Sequence, residues 1–288
     1  MHNYDPGDYS VISFPFFGIE VDPARAISLG SLNIHYYALF IATGLLLAIA
    51  YACRRNKEFG FTEDHILDGV LCVVPFAVLC ARLYYCIFSW ESYRSDPISI
   101  LYIWKGGLAI YGGVIGAAVG VAVYCKVRKL NLPALLDLVA LGFLIGQCLG
   151  RWGNFMNREA FGAPVSSDYF LAMGLFNTKL GVTEYFHPTF LYESVWNLMG
   201  FVLLHFASKR RKYDGQIALG YVAWYGLGRT FIEGLRTDSL MLGPFRFSQV
   251  LAAVSCFAAV AALMLLHFRP HKPEDLFVNR QAAKEEKE

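Results

Sequence analysis

Seven apolar stretches, each close to the length of a bilayer-crossing helix, constrain this chain more than any motif in it. They run over about 32–52, 66–90, 107–125, 132–150, 189–207, 216–235 and 247–268, against the roughly 20 residues a membrane helix needs. Composition agrees: 56% of the residues are hydrophobic and 17% charged, where soluble proteins carry roughly 25% charged residues. The reading is an all-α integral membrane protein with about seven transmembrane helices. The second and sixth stretches hold the most polar cargo, Asp68, Pro75 and Arg82 in one and Arg229 and Glu233 in the other. A soluble-type amphipathic helix is the alternative for either, and the short connections beside them favour spanning.

Basic residues in the connections set the orientation. Arg54, Arg55 and Lys57 follow the first span, Lys126, Arg128 and Lys129 the third, and Lys209, Arg210, Arg211 and Lys212 the fifth. Arg269 and Lys272 follow the seventh. The other side holds fewer, Arg94 and Lys105 after span two and Arg236 and Arg246 after span six. The expected arrangement is an external N-terminal segment over 1–31, a membrane domain over 32–268 and a charged, solvated cytoplasmic tail over 269–288. Within the membrane domain, 151–188 is too rich in turn formers for one helix (Ala163-Pro164, Ser166-Ser167, Gly174) and reads as a small external head between spans four and five. No basic stretch precedes span one, so a cleavable signal peptide is not expected. The seven cysteines lack a C-x-x-C pair and read as small apolar packing.

One segment departs from this apolar background. Gly150-Arg151-Trp152-Gly153-Asn154-Phe155-Met156-Asn157-Arg158-Glu159-Ala160-Phe161-Gly162 follows directly on span four, at its external end. Charge in hydrocarbon costs on the order of 2.5–3.5 kcal/mol per residue, so such a cluster is usually functional. Arginine forks suit phosphate, and glycines let backbone approach a ligand. Span six adds Tyr225, Arg229, Glu233 and Arg236, spaced four, four and three residues apart on one helical stripe. A self-neutralising Arg–Glu pair is the bland reading there, but it leaves one arginine over. Glu193, one turn inside span five after His187-Pro188, needs a partner. His187 reads as a base, a donor or an interfacial histidine, and His35-Tyr36-Tyr37 as an interfacial aromatic belt. Arg82 reads as structural, with Asp68 or Asp137 as conceivable partners. Glycines at four-residue spacing (Gly112, Gly116, Gly120 and Gly142, Gly146, Gly150) read as close helix packing, except that Gly112-Gly113 beside Tyr111 could admit a ligand.

Arginines, amides and tyrosines thus gather on the outer half of a helical bundle, which suits a phospholipid headgroup. No P-loop, dinucleotide fingerprint, zinc motif or G-x-S-x-G elbow is present. No cofactor, metal or nucleic acid is expected. A non-reacting lipid transporter would line a path to both sides, and an intramembrane protease would need Ser/Lys, paired Asp or metal ligands.

At these residues the sequence resembles the bacterial prolipoprotein diacylglyceryl transferases. The family pattern G-R-x-G-N-F-x-N-x-E-x-x-G is met at Gly150, Arg151, Gly153, Asn154, Phe155, Asn157, Glu159 and Gly162. Further matches are His35-Tyr36-Tyr37, Trp104-Lys105-Gly106-Gly107, His187-Pro188 with Leu191-Tyr192-Glu193, and Tyr225 through Arg236. The resemblance implies a multi-pass enzyme of the bacterial inner membrane. It would move the diacylglyceryl group of phosphatidylglycerol onto the lipobox cysteine of a prolipoprotein and release glycerol phosphate. It implies candidate catalytic positions at Arg151, Arg229, Tyr111 and Glu233. Candidate substrate-binding positions are Tyr37, Asn154, Asn157, Glu159, Gly162, His187, Tyr225 and Arg236. One departure stands out: many relatives carry His-Gly-Gly where this chain has Tyr111-Gly112-Gly113. A tyrosine, with an ordinary pKa near ~10, is a poor base at neutral pH. Tyr111 only hydrogen-bonds, or the base lies elsewhere, or no base is needed.

Overall fold

The computed structural model describes residues 5–29, 32–103, 106–237, 241–242 and 245–285. The chain forms two compact units, 1–51 with 137–272 and 52–136 with 273–288.

The first unit opens with strands β1 (Tyr9–Phe14), β2 (Ile19–Val21), β3 (Ala26–Leu29) and β4 (Leu32–His35), which lead into helix α1 (Tyr36–Arg55). In the second unit, α2 (Glu63–Phe88), a short α3 (Trp90–Tyr93) and α4 (Ile110–Arg128) follow. Helix α5 (Leu132–Asn157) returns to the first unit. Then come β5 (Met173–Asn177), β6 (Val182–Phe186), α6 (Thr189–Ser208), α7 (Gln216–Glu233), the two-residue strands β7 (Met241–Leu242) and β8 (Phe245–Arg246), and α8 (Phe247–His267). Helix α9 (Phe277–Glu285) closes the described chain within the second unit.

Helices α1, α2, α4, α5, α6 and α8 are long and apolar enough to cross a membrane. Their surfaces are studded with exposed leucine, valine and phenylalanine, the outward face a lipid solvent permits. Helix α7, with Arg229 and Glu233 inside its 18 residues, is not among those six. The membrane-helix reading therefore holds, and α7 is a helix with a polar C-terminal turn.

The head contains strands that the sequence reading did not include. β1 and β2 from the N-terminal segment join β5 and β6 in an antiparallel sheet of order β2-β1-β5-β6. The β5–β6 hairpin turns where the Asn177 side chain accepts from the backbone N–H groups of Lys179 and Leu180, at 3.1 Å each, and Gly181 adopts φ 70°. An asparagine that mimics backbone and a glycine in the left-handed region are what such a turn demands. One face of the sheet buries Tyr9, Ile12, Met173, Leu175 and Phe186 against Phe161 and Phe190, with Phe155 at the edge. Burying each large side chain stabilises the head by about 1.5–3 kcal/mol. That packing ties the sheet to the C-terminal end of α5 and the N-terminal end of α6.

Helix α7 begins where the buried Asp137 carboxylate accepts from the N–H groups of Gly215 and Ala218, both at 2.8 Å. This meets donors that no helical carbonyl reaches. Asp137 is thereby committed to α7. Asp68, in the second unit, pairs with Arg128 at 2.9 Å. Neither serves Arg82, whose guanidinium is held by backbone carbonyls instead: Ile100 (2.8 Å), Ser99 (2.8 Å), Gly106 (2.7 Å) and Gly107 (3.0 Å).

The glycine face of α4 packs on α2. A Cβ on Gly112 would strike Tyr84 and the Cys80 carbonyl, so this position is filled by helix packing rather than open to a ligand. On α5, Gly142 faces Ala48 and Gly150 faces Ile41 of α1. The charged tail is also more ordered than its composition suggests. Phe277 is buried against Phe61, ring centroids 5.3 Å apart, and Val278 lies over Gly60. Two apolar residues in a polar stretch suffice to dock α9.

Candidate active site

The C-terminal turns of α5 and α7 and the N-terminal turns of α6 carry the site. Pro188 sets the entry to α6, and Glu193 follows a little over one turn later, 4% exposed. Three arginines from two other segments reach it. Arg151 Nη2 lies 2.5 Å from Glu193 Oε2, Arg229 Nη1 lies 3.3 Å from Oε1, and Arg236 Nη1 lies 3.6 Å from Oε1. Arg229 Nη2 also pairs with Glu233 Oε2 at 2.6 Å, the contact that their i,i+4 spacing predicts. Arg246 donates to the Glu233 backbone carbonyl.

A second chain of bonds runs from the other side of Arg151. Its Nη1 donates to Asn154 Oδ1 at 3.2 Å, and Asn154 Nδ2 donates to Glu159 Oε1 at 2.8 Å. Asn157 Nδ2 donates to the same oxygen at 3.2 Å. Glu159 is presented between Arg158 and Ala160, each at φ 56°, a left-handed backbone that non-glycine residues adopt only where surrounding contacts enforce it. Counting outward from Glu193, three guanidiniums (Arg151, Arg229, Arg236) and three carboxylates (Glu159, Glu193, Glu233) form one network, and among the described residues Arg246 binds only the Glu233 backbone carbonyl. The carboxylates of Glu193 and Glu233 are shut in at 5% and 2% exposure, whereas Arg151, Arg229 and Arg236 keep 22%, 17% and 11% of their side chains open. The arrangement can therefore accept an anion on the arginine edges.

The sequence model of the Prolipoprotein diacylglyceryl transferase family matches residues 24–265. This chain belongs to that family. Among its relatives, the phosphatidylglycerol–prolipoprotein diacylglyceryl transferase of Limosilactobacillus reuteri (strain DSM 20016) is 43% identical over 249 residues, covering 84% of this chain and 90% of the relative. The enzymes of the same name from Lactiplantibacillus plantarum and Bacillus velezensis are each 42% identical. They cover 87% and 88% of this chain, and 90% and 94% of their own lengths. The chain is thus a multi-pass membrane transferase by family.

The transferase pattern explains two glycines in the site. A Cβ at Gly153 would come within 2.6 Å of the Tyr37 ring, so glycine lets that tyrosine lie against the turn carrying Arg151 and Asn154. Gly162 threads between two backbones, its N–H donating to the His187 carbonyl at 2.9 Å while it bridges Arg236. A Cβ there would meet His187 at 2.6 Å and the Leu235 carbonyl at 3.1 Å. Gly162 is therefore what holds Arg236 and the His187 segment side by side. Tyr225 lies one turn before Arg229 and stacks on Tyr221 at 5.8 Å.

His187 belongs to an aromatic cluster at the edge of this site. Its Nδ1 is 3.2 Å from Tyr192 Oη, which is 3.2 Å from Tyr169 Oη, and the Tyr169 ring meets the imidazole edge-on at 5.1 Å. Burial pushes the His187 pKa down from its ordinary value, so the ring is neutral at neutral pH. Arg158, the second arginine of the 150–162 segment, points elsewhere. It donates to the carbonyls of Ser10, Met156 and Pro23 and pairs with Asp22 at 2.6 Å. Burial is the first cause that lowers its pKa, with Asp22 opposing. It fastens the N-terminal strands to the end of α5.

The fold thus gathers Arg151, Arg229, Glu233, Arg236, Asn154, Asn157, Glu159, Gly162 and Tyr37 around Glu193, with Tyr225 and His187 one step away. Tyr111, in the first turn of α4, belongs to the second unit and is 47% exposed. Trp104 and Lys105 lie outside the described residues, and Gly106 and Gly107 give their carbonyls to Arg82. Sequence reasoning found Glu193 but not its place at the centre. The available signal was that one carboxylate in an apolar segment faced several arginines elsewhere without local partners. Tyr169 and Arg246 carried no such signal.

Proposed function

We propose that this chain transfers the diacylglyceryl group of phosphatidylglycerol to the lipobox cysteine of a prolipoprotein. The cysteine sulfur attacks the sp3 glycerol carbon bearing the phosphate, a C–S bond forms and the C–O bond breaks. The electron pair leaves on glycerol phosphate, and the thiol proton passes to solvent or to the leaving group. A thiol of pKa about 8.5 is already partly thiolate at neutral pH and strongly nucleophilic. The barrier lies mainly in the departing phosphate, whose growing charge needs fixed cations in a dry site. Arg151 and Arg229 take that role. Glu193 and Glu233 hold their guanidiniums in place, Asn154 and Glu159 align Arg151, and Arg236 adds to the field. Tyr37, Asn157, Gly162, Tyr225 and His187 shape the donor and peptide sites. In-line placement of the sulfur supplies much of the remaining acceleration.

The observation that carries this reading is the meeting of Arg151, Arg229 and Arg236 at the buried Glu193, with the arginine edges partly open and the Glu193 and Glu233 carboxylates closed. Helix α7 completes a seven-span bundle in a bacterial inner membrane, its polar turn satisfied by α5 and α6. Basic residues after spans one, three and five favour a cytoplasmic C-terminus and an external N-terminus, which places the site at the outer leaflet. The test is mass spectrometry of a lipobox peptide incubated with the purified chain and phosphatidylglycerol vesicles. A diacylglyceryl increment on the cysteine is expected, and an unmodified peptide with folded protein would end the proposal.

A further inference from the structure

We propose that Gln147 and Asn197 form a second subsite, one helical turn from the arginines, that reads the hydroxyls of the glycerol headgroup on the donor phospholipid. The inference rests on the donor assigned above and names what recognises it. Gln147 stands four residues before Arg151 on α5, and Asn197 four residues after Glu193 on α6. Each is therefore on the same helix face as its cluster partner and about 6 Å along the axis. Because α5 leads into the head and α6 leaves it, both displacements run away from the head.

Both side chains hold an unanswered group. Gln147 Oε1 and Asn197 Oδ1 are buried without a hydrogen-bond partner among the described residues, and Asn197 is 2% exposed. Gln147 Nε2 donates instead to Tyr221 Oη at 2.9 Å, and the Tyr221 ring stacks between Phe143 and Tyr225 at 6.1 and 5.8 Å. Exchanging the amide oxygen and nitrogen of Gln147 only moves the deficit. Tyr221 then donates to Gln147, and the amide nitrogen is left over. Folded proteins rarely leave buried polar atoms so.

The missing partner must donate in one setting of the amide and accept in the other, and a hydroxyl does both. Ester carbonyls of the diacylglyceryl group only accept, so they answer only the exchanged setting. An ammonium headgroup only donates, so it answers only the setting with the amide oxygens left over. A neutral diol on a phosphodiester satisfies both layers, with its anion on the arginines and its hydroxyls on the amides a few bonds away. The peptide is placed elsewhere by the reaction. In-line displacement puts sulfur opposite the leaving oxygen, so the arginine side belongs to glycerol phosphate.

The experiment compares phosphatidylglycerol with phosphatidyl-1-propanol, the same phosphodiester without headgroup hydroxyls. Native mass spectrometry of the purified full chain measures lipid affinity, and peptide transfer is followed alongside. The intact protein should prefer phosphatidylglycerol roughly ten- to a hundredfold, up to about a decade for each of two hydroxyl hydrogen bonds. The ratio should collapse toward one in Gln147→Met and in Asn197→Leu, substitutions that keep side-chain volume. No preference in the intact protein would overturn the subsite without any variant. A preserved ratio with both lipids weakened would overturn it in favour of bundle packing. A preserved ratio with only the peptide KM changed would overturn it in favour of a peptide contact. Lipid preference without any transfer would leave this subsite standing and sink the transferase reading instead.

Discussion

Arg82 and Arg229 begin alike, as single arginines inside apolar helices, and the fold treats them in opposite ways. Arg82 is 4% exposed, spends its donors on four backbone carbonyls and rests its planar face 5.2 Å from the Tyr93 ring. Four of its five N–H donors are taken, and it clamps the backbone of Ser99, Ile100, Gly106 and Gly107. Arg229 is held by two carboxylates and keeps an open edge. Arg158 sides with Arg82, since carbonyls and Asp22 consume it. A guanidinium held by carbonyls builds structure, and one tethered by carboxylates with donors to spare is positioned for an anion.

The comparison breaks first at Arg229. Arg229→Lys keeps the charge and loses the planar fork that spans Glu193, Glu233 and a phosphate at once. Transfer by the purified variant should fall on the order of 10²–10³-fold, with membrane insertion and expression intact. Near-normal turnover would place Arg229 with Arg82. The converse experiment is Arg82→Lys. An ammonium cannot reach four diverging carbonyls, and each lost charged hydrogen bond is worth about 1.5–3 kcal/mol. Thermal unfolding in detergent should shift down clearly, while turnover per folded molecule stays within a fewfold. A selective loss of turnover at unchanged melting temperature would show that the 97–107 segment serves the reaction directly.

Sequence reasoning reached what local spacing encodes. The long helices follow from uninterrupted apolar runs, and Arg229–Glu233 and Arg151–Asn154 follow from their places on a helix. It did not reach pairings between distant segments. Strand β1 meets β5 only because Ile12 and Leu175, far apart in the chain, share one core, and no short-range pattern announces that. Glu193 is the same case in electrostatic form, a carboxylate whose three arginines arrive from α5 and from the end of α7. The Arg82 clamp was illegible for another reason: its partners are backbone carbonyls, which every residue possesses.

His187 offers a smaller test, on pH. Burial lowers its pKa below the ordinary value of about 6.5. Between those two values the unfolded chain binds the extra proton and the folded chain does not. Stability is therefore full above about pH 6.5 and declines as pH falls through that window. His187→Gln should flatten the decline in melting temperature between about pH 7 and pH 5. An unchanged slope would assign the acid sensitivity to other groups.

The least effect is expected at Tyr111. It is half exposed in the first turn of α4, outside the set of side chains tied to Glu193. Its phenol is a poor base at neutral pH, and the attacking thiol needs little help to ionise. Tyr111→Phe removes one hydroxyl and keeps the ring, so transfer should stay within a fewfold of the unmodified chain. The informative readout is the pH profile of kcat/KM. If Tyr111 only hydrogen-bonds, the rising limb, which follows thiol ionisation, keeps its position in the variant. Loss of activity by orders of magnitude at normal expression, with that limb displaced, would mean that the proton leaves through Tyr111 and that the arginine cluster acts only on the leaving phosphate.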